Sequence, residues 1–297
     1  MKKNTLLLSS LDIARALRAI FEEAKMKSRK GVFSIPDFSS FFTNFELPPM
    51  SKSELAEAVQ FEARKHVPLP ISEVTFDWQL LEKRFDASRP SHVLLVAVPN
   101  ETIAQYQEIA KAAKVQMLGL EAEVFGIIRS CLKGEKIPAV VLDIGAQSTT
   151  VSVVDKGMLW NSHSVDIGGN AFTERVAQAL SLAYDKAEEE KMAKGMKNSE
   201  KISQILGPLV DILVIETEKM IGSFLTREKK EIQKVLLGGG SSRLVMLPEY
   251  FAKALSKPVE VMNPFSTIYY PPILEYKIKE MGPSYAVAVG MAQKQVQ

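Results

Sequence analysis

Cysteine is almost missing from this chain: Cys131 is the single one in 297 residues. An internal disulfide is therefore excluded, and a reducing compartment is the expectation. Histidine is nearly as scarce, and His66, His92 and His163 are scattered without metal-ligand spacing, which favours structural or exposed roles. Neither sign of charge dominates, since 37 Lys and Arg stand against 35 Asp and Glu, a formal net charge of +2. A surface that neutralises phosphates needs a clustered basic excess, so nucleic acid is not an expected partner. No apolar run reaches the roughly 18 residues of a membrane span. The short LLL near the start is followed by Asp12 and Arg15, so a signal peptide is not expected. The P-loop and dinucleotide fingerprints are absent too. With 46% hydrophobic and 24% charged residues, the composition is that of a soluble globular protein of two domains or one bilobal unit.

What the chain does have is a pair of strand-to-glycine turns. The run Val140 to Thr150, VVLDIGAQSTT, puts Asp143 at the end of an apolar strand and follows it with Gly145, Gln147, Ser148 and Thr149. Ligands of open α/β sheets sit beyond the carboxyl ends of strands, where glycine lets the backbone approach a phosphate and successive N–H groups face an anion. The run Val235 to Leu244, VLLGGGSSRL, repeats this pattern with Gly239, Gly240 and Ser241. Two such loops predict a nucleotide cleft. Taken alone, Asp-Ile-Gly after a strand is also read as a plain turn. Ser148 and Ser241 have no base beside them, so nucleophilic catalysis is not expected.

Periodicity predicts a helix over 11–25, strands over 31–35 and 41–47, a helix capped by Ser51 or Ser53, and strands over 74–83 and 92–98. A helix over 100–113, a strand over 115–120 and a helix over 122–132 follow. A linker over 133–138 opens the second half, where the strand at 139–142 is expected to pair with one strand made of TTVSVVDKGMLW. Gly168 and Gly169 precede a helix starting near Ala171. Further helices are expected over 184–195 and 202–225, the latter kinked or split by Pro208. A strand over 232–237, a helix over 248–255, a strand over 259–261 and a small-residue helix over 284–292 complete the reading. On the helix over 184–195, Glu188 and Lys191 lie one turn apart and share a face. They are read either as ligand contacts or as a solvated ion pair of small worth.

These residues carry a resemblance. ELPPMSKSELAEAVQFEARKHVPLPISEVTFDW (Glu46 to Trp78), LDIGAQSTTVSVV, IGGNAFT, AEEEK and the stretch from LLGGGSSRL to VEVMNPF are similar to the PilM family of type IV pilus assembly proteins. That family lies within the actin-like nucleotide-binding folds that also include the division protein FtsA. The resemblance implies a two-lobed, actin-like (ribonuclease H-like) α/β fold with an inserted strand-helix-strand-strand (SHS2-like) subdomain. The expected division is 1–30, 99–137 and 276–297 for the first lobe, 31–98 for the insert, 138–175 with 232–275 for the second lobe, and 176–231 for its helical subdomain.

The resemblance further implies ATP and Mg2+ as ligands. Asp143, Gly145, Gln147, Ser148 and Thr149 would grip phosphates and, through Asp143, the metal. Gly168 and Gly169 would adjoin them, Glu188 and Lys191 would reach the ribose or base, and Gly239, Gly240 and Ser241 would form the adenosine loop. The family's first phosphate loop has no counterpart here, so the expectation is binding without hydrolysis, in a truncated piece or in a lineage that lost the loop. The implied partner is the cytoplasmic N-terminal peptide of a PilN-like inner-membrane protein, at the type IV pilus or type II secretion platform. Membrane contact would come through that partner alone, and self-association stays open. An FtsA-like membrane tether and an actin-fold ATPase or kinase are the other readings.

Overall fold

The computed structural model describes residues 8–81, 85–197 and 201–294. The chain folds into two compact units, one running to Gly126 with the residues from Met291 onward, the other Ile127–Gly290. In the first unit α1 (Ser10–Glu23) starts at Ser9, whose Oγ accepts the Asp12 N–H at 3.2 Å. This is the usual way an orphan donor of a first turn is satisfied. Ala14 on α1 is buried, and the helix packs on α3 (Asn100–Ala113). Two strands, β1 (Lys30–Ile35) and β5 (Gln116–Ala122), pair in parallel, with a register shift between Gly31 and Val32.

The remaining strands of this unit, β2 (Phe41–Leu47), β4 (Ser91–Pro99) and β3 (Val74–Leu80), form an antiparallel sheet in the order β2-β4-β3. One face is closed by α2 (Lys52–His66), whose Leu55, Val59 and Ala63 meet Phe45, Leu47, Val93 and Leu95 in a common core. The spacing of those three residues by four places them on one helical stripe. Of the two expected caps it is Ser51 that starts α2, its N–H donating to Glu54 Oε2 at 2.8 Å in a capping box.

The second unit is built on five strands: β6 (Ala139–Ile144), β7 (Thr149–Asp155), β8 (Met158–Val165), β9 (Lys234–Gly238) and β10 (Val259–Val261), ordered β10-β9-β6-β7-β8. β6 is central, parallel to β9 and antiparallel to β7. Residues 149–154 of β7 are all buried. Its hydroxyls are satisfied across the ladder, Ser152 with Ser162 at 2.7 Å and Thr150 with Ser164 at 3.0 Å. The helices of this half are α4 (Glu123–Cys131, which begins in the first unit), α5 (Gly169–Leu180), α6 (Tyr184–Lys194), α7 (Lys201–Glu228), α8 (Leu247–Leu255) and α9 (Glu275–Ala292). Phe224 of α7 is fully buried and meets Trp160 of β8 edge-on at 5.2 Å.

Several expectations are corrected. TTVSVVDKGMLW is two strands, because Lys156 (φ 53°) and Gly157 (φ 75°) make a tight turn with both central residues left-handed, the geometry that suits a two-residue hairpin. β1 pairs with β5 and lies outside the β2-β4-β3 sheet, whereas the sequence reading grouped residues 31–35 with the insert. Alternation marks a strand without naming its neighbour. α7 continues through Pro208 and is not split, since Pro208 sits within its first turns and the long apolar face is buried on either side. α5 starts at Gly169, two residues early, and α9 at Glu275, with Pro283 inside. β9 runs over Lys234–Gly238, and β3 ends at Leu80, with residues 82–83 of the expected strand outside the described residues.

Replacing Phe224 by Ala is expected to cost about 4 kcal/mol in urea unfolding, from lost burial plus the cavity left behind. Leu225→Ala, at a position 43% exposed, should cost under about 1 kcal/mol. Equal losses would show that the core of this unit does not centre on the α7 face that carries Phe224.

Candidate functional site

β6 delivers Asp143 to the carboxyl end of the sheet, opposite Thr150 of β7 and Gly238 of β9. The chain then turns through residues 145–148, closed by Gly145 N–H donating to Ser148 O at 3.0 Å. This turn is laced to the start of α5. Gly169 N–H donates to Gly145 O and Asn170 N–H to Ala146 O, both at 2.9 Å, and Thr149 Oγ1 donates to Ile167 O at 2.6 Å. Gly168 approaches so closely that a Cβ there would stand 2.7 Å from Ala146 O and from Ser148 N. The first N–H groups of α5 are thus occupied inside the protein, and of the turn residues after Gly145, Ala146 is exposed, Gln147 half-buried and Ser148 buried.

The second glycine run closes the other side. Gly239 has φ 79° and ψ 171°, a region essentially reserved for glycine. A Cβ there would run into the Ile144 carbonyl and stand 2.7 Å from Asp143 Oδ1. Gly239 N–H donates to Pro283 O at 3.0 Å, and Ser242 Oγ donates to Gly239 O at 2.7 Å. Ser241 Oγ lies against Gly169, 2.7 Å from where a Cβ would stand. Asp143, Gly145, Ser148, Thr149, Gly168, Gly169, Gly239 and Ser241 are therefore gathered around the end of one strand. Gln147 lies on the same turn and Gly240 on the same glycine run.

Lys191 and Glu188 reach this cluster from α6, in unequal ways. The Lys191 side chain is 3% exposed. Its Nζ lies 2.6 Å from Glu188 Oε2 and donates to Thr173 Oγ1 at 2.9 Å and Gly169 O at 3.2 Å. An ammonium has three protons, and three acceptors surround this one. Lys191 is thus a strut that ties α6 to the start of α5, where the sequence reading had it reaching outward. Glu188 keeps a side chain 43% exposed, and the Thr173 hydroxyl bonds its carboxylate as well.

Asp143 is the electrostatic centre. Asp143 is half-buried at the end of β6, and desolvation lifts its pKa to about 6. Among the described residues no Lys, Arg or His forms an ion pair with it, and no group of three or more His, Cys, Asp or Glu could hold a metal. A single carboxylate still suits Mg2+, which is commonly bound by one or two carboxylates together with phosphate oxygens and water. The histidines are placed otherwise: His66 stacks on Phe45 at 4.9 Å, and His92 stands 3.4 Å from Glu46.

A groove that sequence reasoning left unassigned lies within the first unit. It encloses about 490 Å³ along Thr75–Gln79 of β3, with Leu94, Val96 and Val98 of β4 in its floor and Ile35, Leu120 and Phe125 among its walls. Lys294 stands at its rim, paired with Glu121 at 2.6 Å. A signal was available. The uninterrupted apolar run Val93 to Val98 means that both faces of β4 avoid water, and α2 covers only one of them.

Because the native pKa of Asp143 lies above the unfolded value near 4, stability gained from holding the proton is full below about pH 4 and lost as pH rises through 6. Asp143→Asn should therefore stabilise the protein at pH 7.5 by about 2 kcal/mol, with the gap closing below pH 4 in thermal melts. A destabilised variant at neutral pH would contradict this electrostatic picture. Gly239→Ala should destabilise the protein by about 2 kcal/mol or more, through strain and collision together, and so lower the melting temperature sharply.

No helix among the described residues is long and apolar enough to cross a membrane. In comparisons with known proteins, the model of the family "Type IV pilus assembly protein PilM" matches residues 5–296. The cell division protein FtsA of Rhizobium meliloti (strain 1021) is 24% identical over 182 residues, 52% of this chain and 40% of that protein, so the chain spans less than half of that curated relative. Among solved structures, a PilM-PilN type IV pilus biogenesis complex aligns with a TM-score of 0.85 at 24% identity, over 100% of this chain and 90% of that one. MreB5 of Spiroplasma citri bound to ADP aligns at 0.58 and 12% identity, over 98% and 76%. With an actin-like fold and a family match over almost its whole length, the chain belongs to the PilM family of type IV pilus assembly proteins.

Proposed function

We propose that this protein is a nucleotide-responsive scaffold of the type IV pilus assembly platform, which holds the cytoplasmic N-terminal peptide of a PilN-like inner-membrane protein. The observation that carries this reading is the groove along β3, an apolar channel beside a strand edge, in a chain whose family includes a structure solved with PilN. A short extended peptide suits such a channel better than a small metabolite does, because strand edges bind through backbone groups and pockets select alternate side chains. The protein itself would stay on the cytoplasmic side and meet the membrane through its partner.

The cluster around Asp143 is the proposed ATP site. The turn after Gly145 would offer N–H groups to phosphates, the glycine run after β9 would leave a slot for the base, and Glu188 would face the ribose. Mg2+, when present, would neutralise phosphate charge beside Asp143. The protein's own contribution is rigid placement: Lys191 and Thr173 hold Glu188 and the Gly169 carbonyl, and Gly168 holds the phosphate turn. Phosphoryl transfer rests on several charged groups converging on one phosphate. Here Lys191, beside Gly169, is engaged internally, and Arg243, at the end of the glycine run, pairs with Glu280, so the arrangement fits retention of nucleotide better than turnover. Nucleotide bound here could bias the groove only through different affinities for two conformations.

The test is calorimetry with the N-terminal peptide of a PilN-like inner-membrane protein from the same organism, with and without Mg-ATP. Peptide binding should be lost in Gln79→Arg, which fills the groove from an exposed position on β3, with the fold intact by circular dichroism. Mg-ATP binding should be lost in Asp143→Ala. Absence of peptide binding under both nucleotide conditions would defeat the scaffold reading.

A further inference from the structure

The end of the second unit opposite the Asp143 cluster collects the chain's basic excess. β9 and β10 run parallel to β6 and β7 runs against it, so the starts of β6, β9 and β10 and the turn between β7 and β8 all lie at this end. Its segments meet one another. Gln233 N–H donates to Pro138 O and Val235 N–H to Pro258 O, both at 2.9 Å. Lys230 Nζ pairs with Asp155 at 2.6 Å, and a Cβ on Gly157 would stand 3.9 Å from Leu132 O. Residues 132–138, 155–158, 227–234 and 256–260 thus share one surface. They hold seven Lys and one Arg against five Asp and Glu, and that excess of three is larger than the formal net charge of +2 on the whole chain.

The ion pairs sharpen this asymmetry, because four of the five acids engage only two of the lysines. Glu135 and Glu260 lie 2.9 and 3.5 Å from Lys234, and Asp155 and Glu228 lie 2.6 and 3.8 Å from Lys230. Lys133, Lys136, Lys156 and Lys229 are exposed, and none of them forms an ion pair among the described residues. Ile137, between Lys136 and Pro138, is 40% exposed. The four segments contain no aromatic residue, and the neighbouring Trp160, which Arg227 overlies, is buried, so a nucleic-acid base finds no ring to stack on. Lysines are point charges on flexible stems, which suits a diffuse layer of phosphates, whereas bidentate recognition of one phosphate calls for Arg.

We propose that this lysine-rich end is a contact for an anionic lipid surface, with the four unpaired ammonium groups among headgroup phosphates and Ile137 as the apolar contact between them. Each lysine near such a surface adds roughly fivefold to partitioning. Four of them give reversible association that salt screens, well short of the hold of a membrane span. A protein already held beside a membrane by a partner gains from even so weak a contact, since the tether raises the local concentration of lipid. The proposal rests on the second unit alone, so it stands or falls apart from the groove reading.

The experiment is co-sedimentation of the full chain with vesicles of phosphatidylcholine alone and of phosphatidylcholine mixed equally with phosphatidylglycerol, at about 50 mM salt, where screening is weak. Binding is expected to the anionic vesicles only, and it should vanish at about 500 mM salt. The double variant Lys136→Gln/Lys156→Gln should weaken it roughly 25-fold. Lys52→Gln/Lys111→Gln removes the same charge from exposed positions of the first unit and should change it less than about threefold, with both folds checked by circular dichroism. Equal binding to neutral vesicles, no binding to either kind, or equal losses in the two variants overturns the proposal. Displacement by inorganic phosphate at matched ionic strength would point to a site for one phosphate and overturn it too. So would a single-stranded oligonucleotide that binds more tightly than the anionic vesicles and is lost in the Lys136→Gln/Lys156→Gln variant, since the surface would then belong to nucleic acid.

Discussion

Backbone must touch backbone at the end of β6, and most of the second unit is arranged to allow it. Gly168 lies against the turn after Gly145, and Gly239 lies against Ile144 and Asp143, each closer than any residue with a Cβ could come. The close approach brings three loops to one point while α5, α6 and β9 keep their own packing. Glycine is unfavourable for an ordered chain because it loses the most freedom on folding. Its use at both positions is explained by the geometry of the junction, where a side chain would force strand and helix apart.

Two charges at that junction are treated in opposite ways. Lys191 is taken out of water with three acceptors around it, which compensates an otherwise prohibitive desolvation. Asp143 is half-buried with no cation paired to it among the described residues, and desolvation disfavours its ionisation. The first arrangement stabilises a fixed geometry. The second leaves an electrostatic vacancy beside a turn rich in N–H groups, a pattern that concentrates at sites meant for a ligand. An α6 helix tied to α5 by the buried Lys191, next to an uncompensated carboxyl, is a rigid frame around one adjustable charge.

The legibility of the chain followed local chemistry. The capping box at Ser51 and Glu54, the apolar stripe of α2 and the strand ending at Asp143 are encoded within a few residues, and the sequence predicts them. The hairpin at Lys156 and Gly157 was legible in principle, since a glycine after a charged residue between alternating runs is a turn signal. Alternation continues on both sides of it and masks the turn. The pairing of β1 with β5 depends on partners far away in sequence, and no periodicity carries it. The same holds for Lys191: a charged helix surface predicts exposure, and only the arrival of Thr173 and the Gly169 carbonyl from α5 makes burial tolerable. The groove had an indirect sign in the doubly apolar β4, yet its lining comes from six separate segments.

The lifted pKa of Asp143 has a calorimetric consequence for the proposed nucleotide site. With a pKa of about 6 this carboxyl is partly protonated near neutrality, and a divalent cation, if the site takes one, would displace that proton. The displaced proton passes to the buffer, so the apparent heat of metal loading would vary with the ionisation enthalpy of the buffer chosen, and that dependence would fade as the solution is made more alkaline.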